Sequence, residues 1–342
     1  MSLNLFASPA ESMDPSNAPQ DPNHSLLNKS TMQLSLGSSV PDTFTARIEP
    51  VRNMVTNPTF SGHETFHCRP FWLKKGYDYL KEERKFSNPD AVVHLGVGKN
   101  MVTAIRFWMQ AFDLADNNHE LTPLADKLFG KGGWDPYLED VGSLWLLHYK
   151  LITRQHASIY HLIFQELRDR LPEFNARSFT DYVLSEKYKT SAATLEKDFN
   201  VFLRNYLQRA SNEIDDFAGL LADLDLVREI RLETEEGGTR KDRTVYFIDR
   251  TKRLSLPPNI LLYAILDSIR DQKSISLSTL MEGDGALGKV FALHRDGMFE
   301  ALEEIAASHK EITLSREAGV VELQFKKRPD PLNILAAYYN AN

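Results

Sequence analysis

The chain has 342 residues, with 40 Lys+Arg against 47 Asp+Glu for a net charge of −7, and a single Cys. That length makes room for about two domains, or three small ones. The acidic balance excludes a protein that coats nucleic acid or an anionic membrane by bulk charge, and one Cys excludes both a disulfide framework and a multi-cysteine zinc module.

No apolar run approaches the ~18 residues that a membrane span needs. The first cation is Lys29, so no basic region precedes an apolar one. The sequence therefore reads as soluble and cytoplasmic, with no signal peptide and no membrane partner.

Residues 1–57 read as a disordered tail: Ser, Asn, Pro, Thr and Gln dominate, and no apolar period persists. From Phe60 the composition changes, and apolar spacing predicts helices over residues 74–84, 97–114 and 124–129. A short extended piece at 119–124 precedes the last of these. Two more helices follow over 140–148 and 157–170, ended by Leu171-Pro172.

The next stretch predicts helices over 179–187, 194–207 and 214–224, then two strands, 227–233 and 244–248, around Gly237-Gly238. Beyond Pro257-Pro258 come helices over 260–270, 277–281 and 297–308, and a second hairpin from 311–315 and 319–325. Three helices before a hairpin is the order of a winged-helix module. The fold class is therefore mainly α, multi-helical, with winged-helix-like modules carrying small β-hairpins. The expected organisation is tail 1–57, an N-terminal helical winged-helix-like domain 58–172, a middle domain 173–255 with a basic wing, and a C-terminal domain 256–342.

His63-Glu64-Thr65-Phe66-His67 matches the HExxH string, in which two His on one helical face hold zinc and the Glu polarises water. Here Gly62 precedes the string and Pro70 follows it closely, which denies it a long helix. His63, His67 and Cys68 remain the metal candidates, beside the plainer reading of a packed turn. Leu95-Gly96-Val97-Gly98-Lys99-Asn100 lacks the first Gly and the Ser/Thr of a phosphate loop, although Lys99 could still meet a phosphate. For duplex DNA the candidates are Arg240, Lys241 and Arg243 at the wing tip, Lys197 and Arg204 on the helix before it, and Lys99. Glu213, Asp215, Asp216, Asp223 and Asp225 before the first hairpin, and Glu300, Glu303 and Glu304 before the second, would repel phosphate and suit protein docking instead.

The strings FSGHETFHCRPFWLKKGYD (from Phe60), LGVGKNMVTAIRFW (from Leu95), LTPLADKLF (from Leu121), WDPYLEDVGSLWLLHYKL (from Trp134) and TLEKDFNVFLRNYL (from Thr194) together resemble domain-of-unknown-function family 4007, over residues 60–339. The family supplies no catalytic residues to carry over and calls for no cofactor. The resemblance implies a setting beside PAPS-reductase-like proteins in bacterial DNA-modification and phage-defence islands. The expected role is a non-enzymatic accessory protein that binds double-stranded DNA. A scaffold recruiting a sulfur-transfer or DNA-modification enzyme as its protein partner is the alternative. A metal-dependent hydrolase centred on the HExxH is a minor one.

Overall fold

The computed structural model describes residues 58–207, 218–236, 239–269 and 271–341, with side chains at 234–241 left out. The expected tail, residues 1–57, lies outside them. The N-terminal helices are α1 (Trp72–Lys81), α2 (Ala91–Leu95), α3 (Lys99–Ala111), α4 (Pro123–Phe129) and α5 (Val141–Arg154). Next comes α6 (Ser158–His161), which runs through a π-helical stretch (Leu162–Leu167) into α7 (Arg168–Arg170). Then follow β1 (Glu173–Phe174), α8 (Ala176–Ser185), α9 (Ala192–Tyr206), β2 (Arg228–Glu236) and β3 (Thr239–Phe247). The chain closes with α10 (Pro258–Ile269), β4 (Ser274–Ser276), α11 (Leu277–Met281), α12 (Leu287–Val290), α13 (Arg295–Ser308), β5 (Ile312–Glu317), β6 (Val320–Phe325) and α14 (Pro331–Ala341). The protein is mainly helical, with two small three-stranded antiparallel sheets of order β1-β3-β2 and β4-β6-β5.

Helix starts follow local chemistry. Thr122 caps α4 ahead of Pro123, Asn175 and Ser178 form a reciprocal capping box on α8, and Ser191 accepts from Thr194 N–H at the start of α9. Three expectations need correction. The helix expected over 140–148 runs on to Arg154, because its outer turns are also buried by neighbouring helices. The helix expected over 157–170 is interrupted by the π-helical stretch. Of the helix expected over 214–224, residues 214–217 lie outside the described residues, and the rest holds only a 3₁₀ turn at Ala222–Leu224. There Gly219 lies so close to α9 that a Cβ would stand 2.0 Å from Arg204 O, and Leu221 N–H donates to Asn205 O. Contact with the finished helix, rather than a helical period, shapes this segment.

The core is organised around α5, which is buried on every side from Gly142 to Ile152. Its polar groups are matched by elements from all along the chain. Ser143 Oγ meets Tyr339 OH of α14 at 2.7 Å, and Trp145 Nε1 donates to Ser255 Oγ at 3.3 Å. Tyr149 OH and Lys150 Nζ both donate to Asp267 of α10, at 2.9 and 3.1 Å. Burial alone would lower the Lys150 pKa, but Tyr263, Asp267 and Asp113 outweigh it and hold the ammonium above its usual range.

His148 is fully buried in α5. Its Nε2–H donates to Val290 O of α12, and its Nδ1 accepts from Tyr206 OH of α9, each at 2.8 Å. Burial first, with Arg253 and Arg168 adding to it and the Val290 bond opposing, depresses its pKa to about 3. Above the ordinary histidine value both folded and unfolded chains carry it neutral. Between that value and about 3 only the unfolded chain takes up the proton, so stability falls on acidification. Urea titrations from neutral pH downward should show this residue removing up to about 1.4 kcal/mol per pH unit. His148→Gln should lower stability at neutral pH and flatten that slope.

Candidate nucleic-acid interface

The segment leading into α1 is a turn, with Glu64 and Thr65 both left-handed and Phe66 N–H bonded to His63 O at 2.8 Å. Gly62 has φ +92°, and a Cβ there would meet the Phe107 ring at 2.8 Å, so the chain can press against α3 only with glycine at this point. The His63 ring stacks on Trp108 and meets Phe107 edge-on. Both its nitrogens are used: Nδ1 accepts from Thr65 N–H at 3.2 Å, and Nε2–H donates to Asp198 Oδ1 at 3.0 Å. His67 is buried as well. Complete burial raises the Cys68 thiol well above its ordinary pKa, which disfavours the thiolate a metal would need. His63 thus has neither the helix nor the open nitrogens of a zinc ligand. Among the described residues, no group of three or more His, Cys, Asp and Glu converges in a way that could hold a metal ion.

What this segment does hold is α9. Asp198, 2% exposed, accepts Ser61 N–H through both oxygens in addition to His63. Two turns on, the fully buried Asn205 accepts Cys68 N–H at 3.0 Å and donates to Tyr160 OH. Phe199, Phe202 and Tyr206 fill the space between these bonds, and Phe199 contacts both Phe174 of β1 and Tyr246 of β3. The inner face of α9 is therefore fixed to the N-terminal segment, the π-helical region and the sheet at once. Its outer face carries Ala193, Glu196, Lys197 and Asn200, all exposed, with Arg204 half-buried two turns beyond Lys197. Lys187 and Lys189 are exposed on the approach to it.

The structure brings Lys197 and Arg204 onto one helix face. The β2–β3 hairpin is different from its expected character. It runs seven residue pairs beyond its contact with β1, roughly 20 Å of two-stranded ribbon at about 3.4 Å per residue. Backbone register sets Arg240 opposite Glu235, Lys241 opposite Thr234, and Arg243 opposite Leu232. The side chains of Arg240 and Lys241 lie outside the described residues, whereas Arg243 is exposed. Across the two strands, Arg228, Arg231, Arg240, Lys241 and Arg243 face an equal number of carboxylates: Glu229, Glu233, Glu235, Glu236 and Asp242. The ribbon is charge-balanced, because the partner strand supplies the acids that a reading of β3 alone leaves out. Lys99 is exposed at the start of α3, on a separate element from α9.

Asp198 and Asn205 read in sequence as ordinary polar residues of an amphipathic helix. The available signal was their spacing: both fall on the face that carries Leu195, Phe199 and Phe202. Asp198→Ala should destabilise the fold by ~3 kcal/mol, since it strands Ser61 N–H and the His63 ring in the interior. Urea denaturation of the single and double variants with His63→Ala should show that the two losses are not additive.

No curated protein matches the chain. Two solved structures resemble it: magnesium ion-bound SspB, at 29% identity and TM-score 0.70, and SspB, at 30% identity and TM-score 0.68. Each comparison covers 82% of this chain and 88% of the other. The family model described as "Protein of unknown function (DUF4007)" matches residues 60–339, from the turn that holds α9 to the stacked Tyr339 of α14. The chain belongs to the DUF4007 family.

Proposed function

We propose that the protein is a cytoplasmic accessory DNA-binding protein of a bacterial DNA-modification or phage-defence system, built from winged-helix-like modules over residues 58–172, 173–255 and 256–342. In the middle module the order β1, α8, α9, β2, β3, with β1 hydrogen-bonded to β3, matches the helix-pair-and-wing order of that motif. This makes α9 the helix that would enter the major groove and the β2–β3 ribbon the wing. The observation that carries the reading is the outer face of α9, which offers Lys197, Asn200 and Arg204 beside a single carboxylate, Glu196, while its inner face is fixed in the core. Lys187 and Lys189 would add phosphate contacts at its N-terminal approach. Arg240, Lys241 and Arg243 would follow the backbone with a smaller contribution, their charge being offset within the ribbon.

One similar structure is magnesium ion-bound. The described side chains of this chain offer no all-protein cage for such an ion. A second reading, a scaffold that recruits a sulfur-transfer or DNA-modification enzyme, draws support from α13. Its outward Glu300, Glu303 and Glu304 form an acidic face, two of whose carboxylates are paired with Lys252 and Arg316.

Fluorescence anisotropy with a short duplex across a salt series tests the first reading. Binding should weaken steeply with salt, and Lys189→Glu with Lys197→Glu should reduce affinity by about tenfold or more and lower the salt slope by about two. Charge reversal at Arg240, Lys241 and Arg243 should cost less. Absence of binding at low salt would overturn the DNA reading, and a stoichiometric partner retained on purification without DNA would establish the scaffold instead.

A further inference from the structure

Beside the root of the hairpin, away from the outer face of α9, a cleft of about 380 Å³ opens between α7, the start of β1 and the end of β3. On its wall lies Arg168, 8% exposed, at the point where the π-helical stretch returns to α-helix. Its Nη2 donates to Lys289 O at 2.9 Å, but Nε and Nη1 are buried with no hydrogen-bond partner. A guanidinium has five N–H groups, and leaving several of them unmatched in the interior of a protein is unfavourable unless something else accepts them. Arg250 stands at the same cleft, 37% exposed, with Nη2 at 3.4 Å from Asp169.

Asp169 partly offsets the charge of Arg168, but no carboxylate of the cleft is hydrogen-bonded to it. Asp169 is held by Lys289 at 2.6 Å as well as by Arg250, and Asp249 is held by Arg228 at 3.7 Å. Arg250 could therefore turn to an incoming anion while Lys289 kept Asp169 neutralised. Burial, reinforced by the nearby Arg250 and opposed by Asp169, depresses the Arg168 pKa to about 10.

The rest of the lining is mixed, with Glu173 as a further carboxylate beside an apolar part. Pro172, Ile230, Phe247 and Ile248 make that apolar part, and Ile230 is 37% exposed. A guanidinium with unmatched N–H groups, a second arginine at the rim and an apolar stretch of wall are complementary to a phosphate joined to a planar ring. The volume suits one nucleotide and excludes a duplex.

We propose that this cleft is a binding site for a nucleoside monophosphate, with the phosphate taken by Arg168 and Arg250 and the base laid against Ile230 and Phe247. The site uses none of the cations assigned to duplex contact and does not depend on that assignment.

Calorimetric titration of the full chain with adenosine monophosphate, adenosine and inorganic phosphate, at constant ionic strength, tests it. Adenosine monophosphate should bind, inorganic phosphate should bind more weakly, and adenosine should be weakest. Arg250→Met, at the half-exposed rim, should leave the fold intact and weaken adenosine monophosphate by about tenfold or more. Arg168→Met should abolish binding while leaving the unliganded protein at least as stable, since it removes a buried, poorly matched charge. Should Arg168→Met fail to fold, Arg250→Met decides alone. Adenosine monophosphate that binds no better than adenosine, or equally well in wild type and Arg250→Met, would overturn the proposal. A single-stranded oligonucleotide with a terminal phosphate should compete no better than its dephosphorylated form if the free nucleotide is the ligand. Selective competition by the phosphorylated strand would overturn that choice of source.

Discussion

The chain buries one helix on every side, and each polar group on that helix has to find a partner from somewhere else. Ser143, Trp145, His148, Tyr149 and Lys150 of α5 therefore reach α14, the linker at Ser255, α9, α12 and α10 in turn. His148 is the most demanding of them. With no water to serve it, both ring nitrogens must be matched at once, by Tyr206 from the middle of the chain and Val290 O from its C-terminal part. Segments far apart in sequence are thus tied through one helix, whatever their separate architecture.

The same logic explains how a helix with an open outer face is held still. The inner face of α9 carries the buried bonds that hold it. Asp198 and Asn205 receive the backbone of the N-terminal segment, and aromatic rings fill the space between them. Fixing a helix from behind by buried polar bonds leaves its solvent side free to vary in charge without loss of fold. A surface that must meet a rigid partner such as a duplex benefits, since little ordering entropy is then lost on binding.

Long amphipathic elements were legible because a period sustained over several turns outweighs local accident: α3, α9, α13 and both hairpins stand where apolar spacing puts them, to within a few residues. Some others were not. β1 and β4 span two and three residues, too few for any alternation, and exist because β3 and β6 offer open edges. The helix α14 is uncharged and lies past the last hairpin, where the sequence reading placed no element; packing against α10 and the Trp134–Tyr339 stack give it a place. At the candidate site, the cations of α9 could be named from sequence, but Arg168 could not. One arginine among several on a helix carries no mark of being buried.

Sequence alone determined the composition class, the mainly helical character, the hairpins, the family motifs and the improbability of a long helix at His63, all of which depend on neighbours along the chain. Tertiary structure alone decided what His63 is for, which strand neutralises the β2–β3 ribbon, and where an arginine lies buried and only partly hydrogen-bonded beside a cleft. These depend on residues more than a hundred positions away, as with His63 and Asp198, or on the register of two strands. Local periodicity records which face of an element is buried. It does not record what that face is buried against, and the chemistry of this protein lies in those pairings.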